Sequence, residues 1–273
     1  MAQNPLEQFF RQPKIYINLP SRGIFNTAGT IQGDATNMPV YGMTAMDEII
    51  AKTPDALFSG ESTVKIIQSC VPGIKDGWNI SMLDVDLIFA AIRIATYGDK
   101  LSVTHSCSKC DHDNAYDIEL GNIIEHYNKV SYDAKIVLDT LVINLQPINY
   151  RQSTDINLRN YQLTRRLTQA ENMEESEEKQ EIINELFVDI AKLQTEFYTA
   201  SVESIDTGKQ VVTERAFISE FMGKCDKTIF DAIKKQIDKN KDAWTVPDFP
   251  AKCESCEQED KINIILDQSN FFV

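Results

Sequence analysis

The chain has 273 residues, 42% of them hydrophobic, enough to bury a sizeable core as one large domain or two small ones. Twenty-seven basic residues against 41 acidic ones give a net charge of −14 and a pI near 4.7. That balance opposes a nucleic-acid surface, which needs a basic stripe to displace counterions, and favours basic or polar protein partners. The first residues carry no basic region followed by an apolar run, and no apolar stretch approaches the ~20 residues that span a bilayer. The expectation is therefore a protein without a signal peptide or membrane insertion, kept in a reducing compartment.

Taken in order, Lys14–Leu19 alternates like a strand and stops at the turn cluster Pro20–Gly23. An irregular loop is expected through Gly29, Gly33 and Pro39. Its glycine spacing fits no phosphate-binding fingerprint. Two or three short helices follow between Ala45 and Cys70. Thr44 and Asp47 read as a capping box, and Thr53–Pro54 as a second helix start. Pro72 and Gly73 end that block. Ser81 and Asp84 read as another capping box, opening a helix with Val85, Ile88, Phe89, Ile92 and Ala95 on one face and Gly98 as its C-cap. Asp84 and Asp86 fit a first turn that complements the helix dipole better than they fit acid–base catalysis. Arg93 fits a salt bridge or an anchor for an acidic partner. Cys70 and Cys225 fall in helical patterns, as small buried side chains do.

The pattern around residue 107 carries the most chemistry. Leu101–Ser106 alternates into Cys107-Ser-Lys-Cys110, and Asn114–Leu120 alternates out of it. A second Cys-x-x-Cys, Cys253-Glu-Ser-Cys256, begins 143 positions beyond Cys110 and precedes the strand-like Lys261–Leu266. Two residues between thiols let both sulfurs face one point, so each motif is half of a tetrahedral site. Cys107, Cys110, Cys253 and Cys256 are the predicted ligands of one structural Zn²⁺ per chain, in a zinc-ribbon-like pair of knuckles. Disulfides or a redox pair are the competing readings, but a redox Cys-x-x-Cys belongs at a strand-to-helix turn. His105 and His112 are expected outside the first shell. A four-thiolate site leaves no open position for water or substrate, so its role would be structural. Such an ion would hold the C-terminal strand against the central sheet.

Beyond the first knuckle, Gly121–Tyr127 reads as a short helix containing a partly buried structural His126. Lys135–Leu138 and Leu141–Leu145 read as a hairpin about Asp139-Thr140. A helix from about Ser153 to Gln169, the acidic tract Glu171–Glu178 and a helix bearing Ile183, Leu186, Ile190, Leu193 and Phe197 make an antiparallel helical hairpin inserted between strands. Its seam suits packing on its own first helix, or docking on another subunit. Val202–Val212 is a further hairpin turning at Asp206–Gly208. Thr213 and Asp226 are expected to cap two more helices, the second carrying Ile229, Phe230, Ile233 and Ile237 and ending among Lys239, Asn240 and Lys241. Trp244–Pro250 leads extended into the second knuckle, and Phe271–Val273 is an apolar end that would dock on a neighbour or close the core. The fold class is α+β: residues 1–150 form an N-terminal region with the first knuckle, 151–201 the helical insertion, and 202–273 a C-terminal region with the second knuckle, completing the same core.

Three stretches, Ile15–Gly23, Met43–Glu48 and Ala91–Gly98 running into the first knuckle, resemble in their order a family of baseplate hub or hub-assembly proteins of T-even-like contractile-tailed bacteriophages. The Leu-Pro-Ser-x-Gly turn and the Arg-x-x-x-Tyr-Gly helix end carry the likeness, over the first half of the chain. Past Tyr150 only the second knuckle and the layout match. The resemblance implies a non-enzymatic subunit of the virion tail baseplate, bound to other tail proteins and present in host cytoplasm during assembly. It supplies no catalytic residue. An assembly chaperone absent from the finished particle is the alternative, and a zinc-ribbon factor contacting nucleic acid a weaker one. The residues agree on the negative side: no Gly-x-Ser-x-Gly, His-Glu-x-x-His or phosphate loop occurs.

Overall fold

The computed structural model describes residues 4–53 and 59–264. The expected helix start at Thr53–Pro54, the end of the Lys261–Leu266 strand and the apolar Phe271–Val273 fall wholly or partly outside those residues. The chain divides into two compact units. One joins the residues up to Val130 with those from Trp244 on, and the other is Ser131–Ala243. Helices and small antiparallel sheets share both units, so the fold is α+β as expected.

In the first unit, β1 (Pro13–Ile17) pairs with β2 (Met38–Tyr41). Pro39, expected in a loop, lies inside β2, where an outer strand tolerates its missing N–H. α1 (Ala45–Ala51) starts with the expected capping box: Asp47 N–H donates to Thr44, and Thr44 N–H donates to the Asp47 carboxylate. α2 (Glu61–Cys70) and α3 (Met82–Tyr97) follow. α3 is buried almost all round rather than on one face. Leu87, Ile88, Ala90, Ala91 and Ile92 are fully covered, because β1, β2, α2 and a later helix, α4 (Gly121–Lys129), all pack on it. Each large apolar side chain so buried contributes about 1.5–3 kcal/mol. α3 is the centre of this unit.

Two polar anchors fix its flanks. Asp84 does not serve an exposed first turn. It is fully buried; its Oδ1 accepts from Ser21 N–H at 2.8 Å, and its Oδ2 accepts from Ser21 Oγ at 2.6 Å and Asn26 Nδ2 at 3.3 Å. The Ser81 side chain therefore caps α3 without a reciprocal partner in Asp84. At the other end Arg93 lies over the Tyr97 ring at 5.2 Å, Tyr97 Oη donates to Glu48, Thr96 Oγ1 accepts from Met43 N–H, and Gly98 closes the helix at φ +93°. Arg93 thus stacks on a ring one helical turn away in its own helix. All three stretches that carried the family resemblance thus meet on α3.

β3 (Lys100–Ser106) and β4 (Asp113–Glu119) form one hairpin, β9 (Phe249–Lys252) and β10 (Glu259–Ile262) another. The C-terminal strand, expected against a central sheet, belongs instead to a two-stranded sheet of its own. It has its own partner, β9.

The second unit holds the four-stranded antiparallel sheet β5 (Lys135–Leu138), β6 (Leu141–Leu145), β7 (Val202–Asp206), β8 (Val211–Val212). Neighbouring strands β6 and β7 are joined by the helical hairpin α5 (Tyr150–Glu171) and α6 (Glu177–Ala200). α5 starts three residues before the expected Ser153, because Asn149 and Gln152 form the capping box. The seam is internal: Leu186 and Leu193 are buried, and Ile183, Ile190 and Phe197 half-buried. Arg159 clasps Glu196 through two bonds of 2.8 Å. α7 (Arg215–Lys224) begins after Glu214 without a side-chain cap, so Thr213 is not its cap. Asp226 does accept from Thr228 N–H at the start of α8 (Lys227–Trp244), which runs through the predicted stop at Lys239–Lys241 and takes in Trp244. Ile143, Leu145, Val202, Ile218, Ile233 and Ile237 meet in this unit's core. Cys70 is buried as expected, whereas Cys225 is only half-covered.

Candidate metal centre

The two knuckles are the same turn written twice. Cys107 N–H donates to His112 C=O at 2.9 Å, and Cys253 N–H to Gln258 C=O at 2.9 Å. Asp111 N–H returns to Cys107 C=O, and Glu257 N–H to Cys253 C=O, both at 3.0 Å. The residue four past each first cysteine sits in the left-handed region, Asp111 at φ +55° and Glu257 at φ +59°. That conformation costs a non-glycine residue about 1–2 kcal/mol and turns the second thiol back toward the first.

The structure brings all four predicted cysteines together. Their sulfurs lie within 4.8 Å of one another, with Cys107–Cys256 at 3.6 Å and Cys110–Cys253 at 3.7 Å. A disulfide would need about 2.05 Å. A tetrahedral Zn–S length of about 2.3 Å sets sulfur–sulfur edges near 3.8 Å, so the cluster has the size and donor set of a four-thiolate metal site. Cys107 and Cys253 are buried, Cys256 is half-buried and Cys110 exposed. Burial of the Cys253 thiol is outweighed by the amides of Cys256 and Ser255, which hold it below its ordinary value, at about 6. The amides thus favour the thiolate at Cys253, while Cys110, despite the amide of His112, is pushed up to about 12 by the neighbouring thiols and burial.

Three residues around the cluster went unnoticed in the sequence. Asp260 accepts from Ser108 N–H at 3.0 Å and Ser108 Oγ at 2.6 Å, tying β10 to the first knuckle. The Ser108 hydroxyl and amide hold its carboxyl below the usual range. Buried Asn114 accepts from Glu254 N–H and donates to His112 C=O, so one side chain stitches both knuckles. Tyr116 Oη donates to Lys252 C=O, and its ring tilts on Phe249 at 6.4 Å. The signal was present for two of them. Asn114 and Tyr116 share the strand parity of buried Ile118, which points them inward. Asp260 has the parity of buried Ile262 in β10, but it falls one position before the expected Lys261–Leu266 strand. His105 and His112 stand outside the thiol cluster as expected: His105 Nε2 is 3.5 Å from Asp260, and His112 is exposed and contributes its carbonyl.

Half-buried His126 stacks edge-on to Tyr127 at 5.3 Å, and Tyr127 lies on Trp244 at 5.9 Å. Tyr127 Oη donates to Asp86, whose burial raises it to about 6. These residues serve the packing of α4 and the end of α8.

Fold and site together define an α+β protein in which two β-hairpin knuckles close on a shared four-cysteine cluster. The chain belongs to the family described as T4 bacteriophage base plate protein, whose profile matches residues 42–273. Among curated proteins and among solved structures, no match to the chain was found. The family places the protein among the structural components of the phage tail baseplate, which assemble with other tail proteins. Among the described residues, no helix is long and apolar enough to cross a membrane.

Proposed function

We propose that the protein is a non-enzymatic structural subunit of the baseplate hub region. It enters the virion from the host cytoplasm at fixed copy number, and its fold is closed by one Zn²⁺ on Cys107, Cys110, Cys253 and Cys256. The observation that carries the zinc reading is the convergence of four thiols from two stretches 143 positions apart, held by matched turns and by Asp260 and Asn114. Four thiolates would fill the metal's coordination, leaving nothing for substrate. Structural zinc contributes on the order of 10 kcal/mol, enough to outweigh the closure entropy of the long loop between knuckles. Such a unit would be a rigid building block for contacts with neighbouring tail proteins. A strong negative charge disfavours nucleic acid as one of those partners.

A second reading, a transient assembly chaperone, draws support from apolar side chains left uncovered on the helical hairpin, Phe187 and Val188 among them. Mass spectrometry of purified phage particles separates the two, with metal analysis of the recombinant chain alongside. A fixed copy number with one zinc per chain supports the structural subunit. Presence only in assembly intermediates supports the chaperone. A chain that folds without metal would remove the zinc reading.

A further inference from the structure

The seam of the helical hairpin suits either its own first helix or another subunit. The structure decides for the first, because the Leu186–Ile190–Leu193 seam of α6 is spent on α5. The opposite side of α6 is a second surface. With 3.6 residues per turn, Asn184, Phe187, Val188 and Ala191 fall on the side facing away from that seam, and all four are exposed. Phe187 leaves 55% and Val188 53% of its surface uncovered. None of the four is charged, on a helix holding six carboxylates and two lysines. A solvated face on so acidic a helix would ordinarily carry charge.

One border of this stripe is acidic. Glu181 and Glu185 run along it one turn apart, and neither has a cation within ion-pair distance among the described residues. The helix's two lysines are engaged: Lys179 on Glu175 at 2.6 Å and the carbonyl of Met173, and Lys192 on Asp189 at 3.0 Å. An antiparallel second copy meeting the stripe would set this glutamate row against itself, which costs affinity. A lysine- or arginine-bearing partner would complement it.

We propose that this face of α6 is the docking surface for an amphipathic helix of another tail protein, one whose apolar stripe is flanked by lysine or arginine. The stripe, Asn184 to Ala191, covers about two turns at roughly 1.5 Å per residue, enough to seat a helix laid along it. Phe187 is the anchor and the glutamates set register. The inference rests on the baseplate reading and names the partner's chemistry.

The test places the photo-crosslinker benzoylphenylalanine in place of Phe187 in the full-length chain within phage particles, and identifies the joined peptide by mass spectrometry. The expected product is a helical segment of a different tail protein, with lysine or arginine beside its apolar residues. A crosslink to a second copy, to an acidic segment, or to no other chain overturns the inference while the baseplate reading stands. Absence of the protein from particles and their assembly intermediates overturns both. In parallel, Phe187→Ser with Val188→Ser should lower incorporation into particles about ten-fold or more, as loss of an interface anchor does, with helical content and metal content unchanged. Undiminished incorporation of that variant also overturns the inference.

Discussion

In the first unit, decisive ties join residues far apart in sequence: Ser21 to Asp84 across 63 positions, Glu254 to Asn114 across 140, Cys107 to Cys256 across 149. The second unit also has distant pairs, Ile143 beside Ile205 and Asp133 bonded to Asn240 across 107 positions, but its core is built from many apolar side chains of the sheet and helices. The first unit therefore depends on a few polar and thiol groups whose partners must all be present. The second spreads its stability over many interchangeable contacts. Removing one partner of a buried polar pair leaves the other unsatisfied, while trimming one apolar side chain leaves a cavity that neighbours can partly fill.

The largest effect should follow Cys107→Ser with Cys110→Ser. Loss of bound zinc and a destabilisation of the first unit on the order of 5 kcal/mol or more are expected, read by metal analysis and calorimetry, with the helical hairpin retained. Next, Asp84→Ala strands the Ser21 and Asn26 donors in the core and should cost about 3 kcal/mol in denaturant unfolding. Asp84→Asn, keeping one acceptor, should cost less. Equal costs for both would mean that the anchor acts through shape alone. In the second unit, Leu193→Ala should cost about 2–3 kcal/mol; a cost matching the cysteine pair would erase the contrast between the units.

The last effect is a pH dependence. Burial raises Asp86 to about 6 from 3.8, so the folded state holds this proton more tightly than the unfolded chain. Its contribution is fully present below about pH 4 and lost as pH rises through about 6. Asp86→Asn should remove that loss. The variant should gain on the parent between those values, reaching on the order of 2–3 kcal/mol at pH 7. A stability difference that is flat with pH would place Asp86 in water.

The second unit was the more legible of the two. The strand alternation of Lys135–Leu145 and the seam from Ile183 to Phe197 encode their partners locally, through period and spacing. The differences there are at helix ends: Asn149 caps α5 three residues before the expected start, and α7 begins after Glu214 with no side-chain cap. In the first unit the cysteines were legible because their spacing is itself a chemical requirement. The helix at Met82–Tyr97 was legible in its Ser81 and Gly98 ends, but its all-round burial was not, since the sequence shows one apolar face and not what covers the others. Asp84 looked like an ordinary first-turn acid; its role depends on Ser21, 63 positions away. Asp260 escaped for the same reason, with its partner Ser108 at a separation of 152. The motifs behind the family resemblance make two long-range contacts, Ser21 on Asp84 and Met43 on Thr96, and one local stack, Arg93 on Tyr97.

The central claim is that one metal ion joins the two knuckles. Zinc-edge X-ray absorption on the purified full-length chain tests it most directly. The account predicts one zinc per chain with four sulfur neighbours at about 2.3 Å, and none after Cys253→Ser with Cys256→Ser. Two sulfurs with nitrogen or oxygen ligands, or a folded chain without zinc, would contradict it.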